Sequence, residues 1–230
     1  MTWLPDPPNP GPAPGGWPAP TSHDLPPGHP DARPAPAPRG DGSGGGSGVM
    51  GEPVTALLFA AAAGAAVALS AGAYGRIHEP SGGTISTFGF STLIAMKVYL
   101  GTAAFGLALA QLTSALAMWG RLPGVNAPAP GWVAPVHRWT GTAAFVVSLP
   151  VAYHCLWSLG FQDTDTRVLV HSLAGCAFYG AFTTKMLALR IDRLPGWALP
   201  LLGGLLVTGL TVLWLTSSLW FFQNVGFPPI

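Results

Sequence analysis

The sequence predicts an all-α fold, a polytopic membrane helical bundle of about five transmembrane helices behind a disordered N-terminal tail. Three observations lead there. Only 8% of the residues are charged, against about 25% in a soluble globular protein. From Pro53 onward the chain breaks into apolar stretches, each of about 20 residues or more and able to cross a hydrocarbon core about 30 Å thick. Before that point it runs through DPPNPGPAPGGWPAP, HPDARPAPAPRG and DGSGGGSG, which bury too little apolar surface to offset the entropy of ordering.

Residues 1–52 form the expected tail. Its first basic residue is Arg33 and no apolar core follows the initial methionine, so it does not read as a signal peptide and is expected to stay attached. A passive spacer is the plain reading of such a stretch, and its Pro-rich runs also suit a polyproline-binding partner. The helices are expected at about 53–75, 90–119, 135–158, 166–189 and 197–222. The first is rich in Ala, the second holds Lys97 as its formal charge, and the fifth has no ionisable side chain. Breakers separate them: Glu79-Pro80-Ser81-Gly82-Gly83, Leu122-Pro123-Gly124, the stretch from Gly160 to Thr166, and Leu194-Pro195-Gly196.

Charge in the short loops sets the expected orientation. One side collects Arg121, Arg138, Arg190 and Arg193, with Arg33 and Arg39 in the tail, while the other has Arg76 and Arg167. The richer side is the cytoplasmic one. The sequence therefore predicts a multi-pass protein of the plasma membrane with its N-terminus in the cytoplasm and its C-terminus outside. Trp119, Trp132, Trp139, Trp157, Trp197 and Trp220 fall near helix ends, as interfacial belts require.

A net charge of +1 with no basic cluster excludes nucleic acid as a partner. No nucleophile elbow, phosphate loop or paired carboxylate occurs, so hydrolase and ATPase chemistry have no support. Cys155 and Cys176 lie in apolar segments without zinc-type spacing, and their unequal depths in two helices disfavour a disulfide.

Ionisable residues inside a span are expensive and become candidates for function. Here they are Lys97 in the second helix, His137 and His154 at opposite ends of the third, and His171 and Lys185 in the fourth. Three share a frame, basic-x-x-x-Gly-x-Ala: Lys97 with Gly101, His137 with Gly141, His171 with Gly175. Residues four apart share a helix face, so each basic group has a bare patch beside it where a flat ligand or another helix approaches closely. The pentapeptide GTAAF occurs twice, at 101–105 and 141–145, which hints at internal duplication. Small residues at this spacing also mark ordinary membrane-helix packing.

His154 and His171 are expected roughly 6–8 Å inside one leaflet, with Lys97 entering from the same side to about 10 Å. His137 is about 25 Å from His154 along the helix, too far for a shared iron. Two histidines from different helices at one depth suit bis-imidazole ligation of haem b. The motifs His137-Arg138-x-x-Gly141 and His171-x-x-x-Gly175 resemble those of the cytochrome b561 and ferric-reductase-like transmembrane families. Over about residues 90–190 that resemblance implies a haem-binding bundle that moves electrons across or along the membrane, and the chain reads as a small membrane cytochrome passing an electron between a quinone or redox protein partner and an outside acceptor. It makes His137, His154 and His171 candidate ligands; from their depths, His154 and His171 are the expected metal pair, with Lys97 and Arg167 near the propionates. Those families usually supply a second pair, and here His137 stands alone on the cytoplasmic side, with Met118 and Met186 as nearby sulfur donors.

The alternative is a non-enzymatic membrane subunit, scaffold or small transporter. On it His137 anchors the interface, His154 and His171 bond to neighbouring helices or to Asp163 and Asp165, and Lys97 snorkels. No clear inverted repeat or broken helix pair speaks for a transporter. His78 reads as a solvated loop residue.

Overall fold

The computed structural model describes residues 51–124 and 128–230. Positions 1–50 lie outside that range, and with them the expected disorder of the tail, His23, His29 and the Pro-rich runs. The described chain is all-helical. It comprises α1 Glu52–Ile77, α2 Leu93–Met118, α3 Val133–His154, α4 Thr166–Ala188, α5 Ala198–Trp214 and the short α6 Trp220–Asn224. A π-helical turn at Cys155–Leu159 prolongs α3, and another at Leu215–Leu219 joins α5 to α6.

The five expected spans are therefore present, with ends that local chemistry adjusts. Glu52 lies in the first turn of α1 and Pro53 sits just inside it, where a missing N–H costs nothing. Thr92 caps α2 by accepting from Ala95 N at 3.0 Å, which starts this helix at Leu93 rather than Phe90. Asp165 caps α4 through Val168 N at 2.9 Å. Four helical stretches, α1, α2, α3 with its π turn, and α5 to α6, are long and apolar enough to cross a membrane. The fourth helix has 23 residues, about 34 Å of rise, and is more polar because it carries Arg167, His171 and Lys185. This is a multi-pass membrane protein.

Around the bundle, α1 packs on α4, α4 on α5, α5 on α2, and α2 on α3, with the π turn after α3 reaching back to α1. The α1–α4 seam is tight: a Cβ on Gly180 would stand 2.6 Å from Gly64 O, a small-residue contact typical of membrane helices. Consecutive α3 and α4 instead meet through long side chains. Phe145 stacks on Phe182 at 4.1 Å, and Ser148 Oγ lies 2.9 Å from Tyr179 OH. That spacing leaves room inside the bundle.

The loop from α3 to α4 is strapped across the end of α1. Phe161 N donates to Gly75 O at 2.7 Å, and Arg76 pairs with Asp163 at 2.9 Å. Gly160 has φ +70° and passes so close to Gly75 O that a Cβ would lie 2.8 Å away. His78 belongs to this strap and is not a free loop residue, since its ring stacks on Tyr74 at 4.8 Å and its Nε2 lies 3.2 Å from Trp157 O. The C-terminal residues fold onto the start of α2, where Tyr99 OH donates to Pro228 O at 2.7 Å. Trp119, Trp132, Trp139, Trp197 and Trp220 are exposed, the arrangement of an interfacial belt.

Candidate functional site

The space between the helices is a cavity of about 870 Å³, in the size range of cofactor and small-molecule sites. Its wall includes positions 92–104 of α2, 148–159 of α3 and its π turn, and 167–179 of α4, a depth of about 16–18 Å. The mouth lies among Thr92, Gln162 and Arg167, where α2 and α4 begin; the floor is Ala104, Phe178 and Leu210, with Ser148 and Tyr179 bonded to each other. Both π turns face the cavity through Ser158, Ser217 and Ser218. Such turns recur at functional sites because the extra residue displaces side chains and backbone carbonyls from the regular ladder.

Two cations line the wall, Lys97 and Arg167. Arg167 is engaged on one edge and one face: it donates to Thr216 O in the second π turn at 2.7 Å, lies 4.0 Å over the Trp220 ring, and approaches Asp165 at 3.8 Å. Lys97 has neither an ion pair nor a hydrogen bond among the described residues. A cation at the centre of a span costs about 2.5–3.5 kcal/mol, less near an end where a lysine stem can reach out.

His171 also faces the cavity, with Nδ1 2.9 Å from Thr216 Oγ1. The Thr216 hydroxyl spends its one proton on Val212 O at 2.7 Å, so it accepts from His171 Nδ1–H. The neutral ring then carries its lone pair on Nε2. His154 is held the same way, because Nδ1 lies 2.8 Å from Pro150 O and a carbonyl only accepts. Its Nε2 is buried with no hydrogen-bond partner among the described residues. A ring whose N–H is tied to the protein and whose other nitrogen is bare is the usual form of a ligating histidine. His154 is only 2% exposed, and its neighbours Val151, Cys155 and Ser158 form the wall; His154 itself does not. Asp163 and Asp165, the expected carboxylate partners, serve Arg76 and the cap of α4 instead.

His137 lies elsewhere, in the α2–α3 seam, with Nδ1 2.8 Å from Ser114 Oγ. The Gln111 amide donates to His137 O and, at 2.6 Å, to Thr140 Oγ1. It also fills the notch at Gly141, where a Cβ would stand 3.0 Å from its Oε1. Met118 and Met186, the sulfur donors considered beside His137, are 39% and 45% exposed on the outer surface.

A family model matches residues 57–229. The chain belongs to DUF6529, a family of unknown function. The DUF6529 match runs from the first turns of α1 to the C-terminal residues and so contains the whole cavity. No curated protein and no solved structure matches the chain. Within the DUF6529 region, the shared basic-x-x-x-Gly frame locates Lys97, Gly101, His171 and Gly175, all on the cavity wall. Sequence reasoning missed Ser148, Tyr179 and the two π turns, which no local pattern announces. It also missed that Cys155 and Cys176, both free thiols, line this same space.

Proposed function

We propose that this chain is a membrane electron-transfer protein that holds haem b in its central cavity, with His171 as one axial ligand and His154 as the other. The observation that supports it is the shared tautomer: both rings donate Nδ1–H to the protein and leave Nε2 bare. His171 faces the space directly, and His154, one residue before Cys155 on the wall, must exchange its bond to Pro150 O for a turn toward the cavity to ligate there. Lys97 offers its free ammonium to a propionate, Arg167 adds positive charge nearby through a guanidinium that already donates to Thr216 O, and Gly175 gives a flat macrocycle room, while the notch at Gly101 is taken by Ser218 Oγ, 3.0 Å from where a Cβ would stand. Bound there, haem b supplies reversible one-electron chemistry. A quinone or a redox protein is the partner on this reading, the tail remains a candidate ligand for a polyproline-binding protein, and the membrane is the plasma membrane.

Detergent-purified protein from haem-sufficient cells is expected to be coloured, with a low-spin spectrum that changes on dithionite reduction. His171→Ala and His154→Ala should each abolish most of that spectrum, and His137→Ala should leave it. A colourless protein sinks the haem reading. A second reading, a subunit or small transporter without haem, is favoured by His154 standing outside the cavity wall. Orientation follows from loop charge, with the N-terminus cytoplasmic and the cavity mouth outside. A reporter active only outside the cytoplasm should work after Ile230 and fail in the 120–133 loop, and the reverse result inverts the topology.

A further inference from the structure

We infer that the cavity is a receptor for an amphipathic carboxylate, and that Lys97 supplies the direct bond to its charged head. This goes beyond the haem reading, because it concerns a charged head and an apolar body whether or not the ligand contains iron. The cavity is graded along its length. Its unsatisfied polarity is at the mouth end, where Lys97 stands without a partner among the described residues. At the floor, Ala104, Phe178 and Leu210 are apolar, and Ser148 and Tyr179 already satisfy each other. A ligand that matches this wall has one anionic end and a long apolar remainder.

The charge arithmetic narrows the head group. A phosphate calls for several donors and a forked guanidinium. Arg167 is poorly placed to supply that fork, since one edge of its guanidinium donates to Thr216 O and its plane lies over Trp220. One free ammonium in a low-dielectric space matches one monoanion, and a carboxylate is the simplest. Haem propionates and the head of a free fatty acid share this chemistry.

The test uses the full chain in detergent, from cells starved of haem precursors, titrated in separate arms with palmitate, its methyl ester and hemin. Palmitate is expected to bind at least about tenfold more tightly than the ester, a difference of about 1.4 kcal/mol. Lys97→Gln should erase that preference, Lys97→Arg should retain most of it, and Arg167→Gln should keep it. Hemin that competes with palmitate identifies the propionate source, and palmitate binding without competition identifies the fatty-acid source. Equal binding of acid and ester by the unmodified protein overturns the proposal without any variant, and so does an unchanged preference in a monodisperse Lys97→Gln protein. A protein that is colourless from haem-sufficient cells yet, prepared without haem, prefers the acid removes the haem reading and keeps this one; a protein that takes up haem but, prepared without it, shows no preference does the opposite.

Discussion

Gly175 and Gly141 occupy the same place in the same local pattern, four residues after a histidine, and the bundle treats them in opposite ways. Beside Gly175 the nearest outside atom to a Cβ would be Leu213 Cδ2 at 3.8 Å, an ordinary contact, and the glycine opens on the cavity. Beside Gly141 the Gln111 amide sits at 3.0–3.3 Å and bonds across to α3. The histidines differ to match. His171 stands on the cavity wall, whereas His137 is part of a seam that holds two helices together. A glycine notch four residues from a basic group is thus an opening only if the opposing helix lacks a side chain long enough to fill it.

The largest effect should come from filling the open notch. Gly175→Leu is expected to cut ligand retention, haem or palmitate, by at least about tenfold while the protein stays folded, since leucine also favours the helix by about 1 kcal/mol over glycine. Gly141→Leu should do the reverse, costing about 1–3 kcal/mol through overpacking against Gln111 and leaving ligand binding near the original level. Denaturation in SDS and a binding titration on both variants check this pair. Ligand loss in Gly141→Leu alone would break the comparison.

A smaller effect is expected from emptying the closed notch. Gln111→Ala removes the donor to His137 O and Thr140 Oγ1, and interhelical bonds of this kind are worth about 0.6–1.7 kcal/mol in membrane proteins. Stability should fall within that range with no change in ligand affinity. If affinity changed as well, the two ends of the bundle would be coupled and not independent.

The sequence by itself determined the number of spans and most of their ends, because twenty apolar residues in a row have one stable solution in a bilayer and Thr92, Asp165 and Pro53 act on their own helices. It also placed Lys97, His171 and their glycines on one shared frame. Local pattern could not separate His171 from His137, since both frames read alike and only the facing residue, Thr216 for one and Ser114 with Gln111 for the other, distinguishes them. Nor could it show that His154 sits behind the wall while Cys155 and Ser158 form it. That was decided by which side of α3 the bundle turns toward the cavity, the stripe of Ser148, Val151, Ala152 and Cys155, from which His154 is offset. Which helix fills which notch depends on contacts between residues as much as 120 positions apart, and only the tertiary structure brings those together.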